Sequence, residues 1–363
     1  MNNSLTFLFY LARKFLVTTL LILLSLLVVI IMFDMIELFK RALSKNIPYH
    51  IVIKLALLKA PYFFEELITF SIMIGTVFSF TSLSKNNEIT VFKSLGLSPW
   101  KICLPFVASS ILLGVLDITV ISKLTNITQK ELINTENTYY NKAQDLVSFT
   151  NNGIWFKENT HDSFTKIIHI KQTNEEGNFF SRVKVYFFDN NFDIKRSLFA
   201  EFAELKNGIL KLTQVVEHNT NSAPQLLDSS EIFIDINLHK IHKGILDPKS
   251  ISLLKLPSFI LQLQKLGFTT TKYLFYFYQL LLTPFLFGSL SLLGLALSFS
   301  DPRSNKVNLM IGISLFLCFI IFFFFKLLSA FALAGKISTI NAIIAPIIIF
   351  TLVSSIIIMH YEE

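Results

Sequence analysis

Residues 15–33 read FLVTTLLILLSLLVVIIMF, nineteen positions interrupted only by Thr18, Thr19 and Ser25. A bilayer's hydrocarbon core is about 30 Å thick, and a helix rising 1.5 Å per residue crosses it in about 20 apolar residues. Phe15–Phe33 therefore reads as a membrane span. Five more follow: Leu67–Leu83, entered through Pro61, then Ile102–Ile121, Tyr273–Phe299, Val307–Leu328 and Ile340–Met359. Three apolar segments, a polar stretch over residues 122–272 and three further apolar segments define an integral membrane protein with one large insertion, not a soluble enzyme.

Composition agrees, with 52% hydrophobic and 16% charged residues. Soluble domains carry about 25% charged residues. The first span is expected to be retained rather than cleaved, because Asp34-Met35-Ile36-Glu37 follows it instead of small residues. Cys103 and Cys318 both fall in or at spans and suggest neither a disulfide framework nor a metal site. The 38 Phe residues accompany abundant Ile, Asn and Lys and read as codon bias.

Net charge is +7, but the insertion is nearly balanced, with 18 basic and 16 acidic residues. Nucleic-acid binding needs a concentrated basic stripe and is excluded as a reading. With both termini on the cytoplasmic side, that side receives Arg13, Lys14, Lys85, Lys93, Lys101, Arg303 and Lys306. The opposite side receives Lys40, Arg41, Lys45, Lys54 and Lys336, with Lys326 close by. Seven against six barely decides orientation, so the basic outer segment calls for its own explanation.

The insertion alternates as β structure does. Gly153–Lys157, Phe164–Lys171, Arg182–Phe188, Ser197–Leu205, Ile209–Glu217 and Glu231–Asn237 read as strands. Asp189-Asn190-Asn191 and Asn207-Gly208 supply turns between them. Six or more such strands predict an antiparallel sandwich or jelly roll. Phe259, Ile260, Leu263 and Leu266 then recur at helical spacing, as in an interfacial helix leading back to the membrane. The expected divisions are 1–121 (three spans), 122–272 (β domain) and 273–363 (three spans).

Catalytic signatures are missing. Gly335-Lys336 resembles the end of a phosphate-binding loop, but Ala330 and Ile337 stand where Gly and Ser or Thr belong. No cofactor is expected. His239 and His242 point to opposite faces of an extended chain and make a poor metal pair. Glu65, Glu66, Asp117 and Lys326 are ionisable residues at or in spans; near span ends, solvation or snorkelling is the plainer reading.

Between spans two and three, residues 84–100 are too ordered for a connector. Ile89, Phe92 and Leu95 fall at i, i+3 and i+6, Asn87 can cap, and Gly96 can stop the helix. This predicts a short amphipathic helix near 85–97, presenting an apolar ridge and Glu88 to a partner or to lipid headgroups.

These residues carry a resemblance. Asp34-Met35-Ile36-Glu37, Gly75, Asn87-Glu88-Ile89-Thr90, Lys93-Ser94-Leu95-Gly96-Leu97-Ser98 and Pro284, within the three-plus-three layout, resemble the LptF/LptG (YjgP/YjgQ) permeases of lipopolysaccharide export. The segment after span one is closer to the LptG branch. Gln279-Leu280-Leu281-Leu282-Thr283 precedes Pro284, where many members place a Lys.

The resemblance implies a non-catalytic permease subunit of an ABC transporter in the bacterial inner membrane, with its β-jellyroll in the periplasm. Its implied partners are an LptB-like cytoplasmic ATPase dimer, an LptF-like second permease, an LptC-like single-span or bridge protein, and lipopolysaccharide. Glu88, Ile89, Phe92, Leu95 and Gly96 are expected to couple to the ATPase. Lys40 and Arg41, with Lys45, are expected to meet lipid A phosphates, although Glu37 and Arg41 also stand at i, i+4 and can simply pair. The competing readings are a permease of another ABC exporter of lipid or lipoprotein, and a membrane enzyme acting on lipid-linked substrates.

Overall fold

The computed structural model describes residues 2–45, 47–140, 146–150, 153–159, 165–174, 178–189, 193–206, 208–219, 223–234, 247–298 and 307–360. His239 and His242, and Asp235–Asn237 at the end of the last expected strand, lie outside them. The chain divides into two compact units, residues 1–140 with 274–363, and residues 141–273.

The first unit is helical. Its leading elements are α1 (Asn2–Leu43), α2 (Tyr49–Lys85), α3 (Glu88–Ser94) and α4 (Pro99–Leu116). A π-helical turn, Asp117–Ile121, joins α4 to α5 (Ser122–Tyr139). Among the described residues, six helices are long and apolar enough to cross a membrane, and each overlaps one of the apolar segments read from the sequence.

Three of these helices outrun the bilayer. At 42, 37 and 41 residues, α1, α2 and the run Pro99–Tyr139 reach ~63, ~56 and ~62 Å, about twice the hydrocarbon core. Their far ends build a core of their own, in which Leu38, Ala42, Ile51, Val52, Leu55 and Leu132 are buried together. Residues 122–140, expected to open the insertion, therefore continue the third helix, and the β unit begins at Asn141.

Among the described residues the second unit carries seven strands: β1 (Leu146–Thr150), β2 (Gly153–Asn159), β3 (Thr165–Thr173), β4 (Phe179–Phe188), β5 (Ile194–Lys206), β6 (Ile209–Asn219) and β7 (Gln225–Phe233). All pair antiparallel in chain order. The β-rich central domain is thus present, and among the described residues its strands pair neighbour to neighbour. Phe156, Ile168, Ile170, Phe180, Leu205 and Leu210 line one apolar interior.

A crease crosses this sheet. Lys171, Arg182, Glu201, Gln214 and Asp228 stand in one row, and the regular pairing skips each of them. Two of them, Arg182 and Gln214, have left-handed backbones, with φ +52° and +55°. At that row the buried positions step by three instead of two: Ile170 to Thr173, Phe180 to Val183, Ala200 to Ala203, Leu212 to Val215. The pleat slips by one residue in four adjacent strands at once, so the sheet bends without turning its apolar face outward. Gln214→Val should cost about 1–2 kcal/mol, because a β-branched residue resists positive φ, whereas Gln214→Gly should be nearly neutral. Amide exchange across β5 and β6 reads the difference.

Helix α6 (Leu256–Lys265) follows. Its apolar stripe, Leu256, Ile260 and Leu263, is buried within the protein, and the Thr173 N–H donates to the Leu266 carbonyl just beyond it. Of the apolar positions read from the sequence, Ile260, Leu263 and Leu266 are buried within the protein and Phe259 is half-buried. Helices α7 (Thr271–Ser298), α8 (Val307–Leu333) and α9 (Thr339–His360) complete the chain. The turn at Gly335-Lys336 closes α8, with the Lys336 N–H on the Phe331 carbonyl.

Candidate functional site

Helix α3 sits at a corner that its sequence dictates. Asn87, with φ +58°, ends α2 in the left-handed conformation that Asn tolerates, and its carbonyl accepts the Val91 N–H in the first turn of α3. Gly96, at φ +76°, stops the helix. The Leu97 N–H then reaches the Phe92 carbonyl at 3.2 Å, the closure of a Schellman motif. Ser98 and Pro99 open α4.

The three residues expected to form one outward ridge divide between two surroundings. Ile89 is 5% exposed, in the helix-bundle core with Leu11, Phe15, Leu83, Ile102 and Phe106. Phe92 leans on the same core, its ring 4.5 Å from Phe7 in an edge-on contact. These two anchor α3 to its own chain. Leu95 is 72% exposed and Val91 52%, so the free apolar surface is Val91 with Leu95. The correction follows from the helix's brevity: seven residues make about two turns, and Leu95 already belongs to the stop.

Glu88 heads the helix and is held from three sides. Its Oε1 accepts from Lys14 Nζ at 3.2 Å and from Asn86 Nδ2 at 3.3 Å, and its Oε2 accepts from the Tyr10 hydroxyl at 3.0 Å. Partial burial pushes the carboxyl up, but the Lys14, Tyr10 and Asn86 hydrogen bonds and the Lys14 charge outweigh it and leave it below the usual carboxylate range. A lowered folded value means that the pair's stabilisation is present above the unfolded carboxylate range. It is lost as pH falls through the folded value. A groove of about 610 Å³ opens beside this carboxylate, between Thr6, Phe7 and Tyr10 on α1 and Val91 and Phe92 on α3.

At the far end of α1 the basic cluster also divides. Arg41 pairs with Glu37 one turn back, both well exposed. Lys45 donates to the Tyr140 carbonyl at 2.5 Å and lies 5.9 Å from the Tyr140 ring centre. Its charge thus sits at the C-terminal, electronegative end of α5, a tie that a sequence separation of 95 residues concealed. Lys40 is exposed and carries no salt bridge among the described residues.

Two ion pairs inside the spans escaped the sequence reading. Asp34 and Lys59 join α1 to α2 at 2.8 Å, with side chains 14% and 20% exposed. Glu66 and Lys326 join α2 to α8 at 2.5 Å. Glu66, Lys326 and the buried Asp117 lie within long helices rather than at helix ends. Lys59, Glu65 and Glu66 lower local hydropathy, so the sequence opens span two at Leu67, whereas paired charges let α2 run unbroken from Tyr49.

Among the described residues, no group of three His, Cys, Asp or Glu side chains converges in a way that could hold a metal ion. The site's means are those of contact: an oriented carboxylate beside an apolar groove at one end of the bundle, and cations on α1 at the other. No curated protein matches the chain. The family model described as "Lipopolysaccharide export system permease LptF/LptG" matches residues 9–360. With that match over nearly its whole length, the chain belongs to the LptF/LptG family of lipopolysaccharide export permeases.

Proposed function

We propose that the chain is one permease subunit of an ABC transporter in the bacterial inner membrane. It extracts lipopolysaccharide from that membrane and passes it to a periplasmic bridge. A cytoplasmic LptB-like ATPase dimer drives the movement, an LptF-like second permease completes the cavity, and an LptC-like protein receives the lipid. The acidic start of Asp34-Met35-Ile36-Glu37 favours the LptG-type role. The central β domain stands on the periplasmic side.

The observation that carries this reading is α3. A two-turn helix anchored by Ile89 and Phe92 presents an oriented acid with exposed Val91 and Leu95 beside it. That surface suits a groove on a soluble partner that offers a cation and an apolar wall. Glu88→Ala removes the acid while leaving both anchors in place. It should cut retention of the co-expressed ATPase at least tenfold, since a hydrogen bond to a charged group is worth about 1.5–3 kcal/mol. Unchanged retention in mild detergent would remove Glu88 from the interface.

At the other end, Lys40 and Arg41 are the proposed contacts for lipid A phosphates. Lys45 comes third in that role, because its Nζ already meets the Tyr140 carbonyl. Each basic residue near an anionic surface contributes about 1 kcal/mol. Reversing Lys40 and Arg41 to Glu should therefore cut lipopolysaccharide photocrosslinking at least tenfold, with ATPase retention intact. Wild-type crosslinking in the double variant would refute the contact.

A further inference from the structure

We propose that Lys14 and Tyr10 are positioning residues for Glu88, and that the start of α1 is one wall of the surface the ATPase grips. The inference rests on the coupling role given above to α3 and adds a second element to it.

Lys14 and Glu88 lie 74 residues apart in sequence, yet their side chains meet at 3.2 Å, and both are mostly shielded, with 21% and 24% of their surface exposed. Lys14 also lies 5.9 Å from the Tyr10 ring centre, so the three groups form one unit. A free glutamate at the tip of a two-turn helix would sample many rotamers and lose that freedom on docking. Here the freedom is already spent within the chain.

A carboxylate offers roughly four acceptor positions. Lys14, Tyr10 and Asn86 occupy three of them, leaving one for an incoming donor. The groove shows where that donor enters. Its walls are Thr6, Phe7 and Tyr10 on one side and Val91 and Phe92 on the other, with Glu88 and Asn86 between them. A cationic side chain reaching Glu88 through the groove therefore touches α1 as well as α3. The Phe7–Phe92 contact ties the two walls together, so a force applied at α3 is delivered to α1, whose other end carries Lys40 and Arg41.

The opposite reading gives an opposite sign. If Lys14 merely neutralised Glu88, it would compete with the partner's cation, and removing it would tighten the complex.

The test uses the full permease pair co-expressed with its cognate ATPase, and measures the affinity of the ATPase for detergent-solubilised permease. Lys14→Met and the near-isosteric Tyr10→Phe should each weaken the complex about three- to tenfold, the range for one partly exposed charge-assisted hydrogen bond. Lys14→Arg should restore it. In a Glu88→Gln background, Lys14→Met should add less than about twofold, since residues that act through one another are not additive. Equal losses in both backgrounds would mean that Lys14 only supports the fold, and would overturn the proposal. Unchanged or tighter binding of both Lys14→Met and Tyr10→Phe would do the same. If Glu88→Gln itself binds as wild type, the coupling reading of α3 fails and the positioning proposal falls with it. If Glu88→Gln weakens the complex while Lys14→Met and Tyr10→Phe do not, the positioning proposal fails alone.

Discussion

A Gly114→Leu chain is expected not to hold its helical unit together. A Cβ at Gly114 would stand 2.5 Å from the Cα and 2.9 Å from the backbone nitrogen of Pro284. Both atoms are backbone, so no side-chain rotation relieves the clash; α4 and α7 must separate. Overpacking costs 1–3 kcal/mol where side chains can shift. Here the displaced object is a helix, and at least about 3 kcal/mol is expected. Association of membrane helices rests on close van der Waals packing between small residues, which is the resource this substitution removes. Gly312→Leu is the control, since nothing among the described residues lies within 4 Å of a Cβ there. Thermal unfolding in detergent should show a large loss for Gly114→Leu and little change for Gly312→Leu. Equal behaviour of the two would contradict the α4–α7 crossing.

Breaking the Asp34–Lys59 pair is the second large effect. With side chains only 14% and 20% exposed inside candidate spans, each charge depends on the other. Lys59→Met strands the Asp34 carboxylate between α1 and α2. Removing one partner of a buried pair costs about 3–5 kcal/mol, mostly from the charge left behind, and residual exposure lowers this to about 2–4 kcal/mol. The double variant Asp34→Asn with Lys59→Met should recover most of that loss, because no charge remains to be compensated. Thermal unfolding of the two single variants and the double variant closes the cycle. Additive losses would show that the pair is not coupled.

Where periodicity and length decide, the chain was readable. Six apolar runs marked the six long helices of the described residues, and alternation marked β2 to β6, whereas the last expected strand, Glu231–Asn237, meets β7 only over residues 231–233. Gly96 correctly announced the end of α3, because few residues other than Gly fit a left-handed helix stop. What stayed hidden depends on contacts between distant residues. The start of helix α2 at Tyr49 was hidden because Lys59, Glu65 and Glu66 lower hydropathy, and nothing local reveals that Asp34 and Lys326 balance two of them.

The candidate site shows the same limit. Glu88 was legible as the acid of a short helix, but the division of Ile89 and Phe92 from Leu95 depends on which helices stand behind α3. Nothing local ties Tyr10 or Lys14 to Glu88, which lies 78 and 74 residues further along the chain. The tie of Lys45 to the Tyr140 carbonyl was equally hidden, because 95 residues separate them. In the β unit, the crease at Arg182 and Gln214 broke the expected alternation in four strands together. A pattern rule applied to one strand at a time reads that as noise.

The most direct test of a lipopolysaccharide permease energised through α3 is ATP-dependent lipid release from vesicles. Proteoliposomes would hold lipopolysaccharide, the permease pair and its ATPase, with a periplasmic bridge protein added outside as acceptor. Transfer to the acceptor should require ATP and this chain, and should fall to background with Glu88→Ala while ATP is still hydrolysed by the ATPase. Transfer at wild-type rates from vesicles lacking this chain, or undiminished transfer with Glu88→Ala, would contradict it.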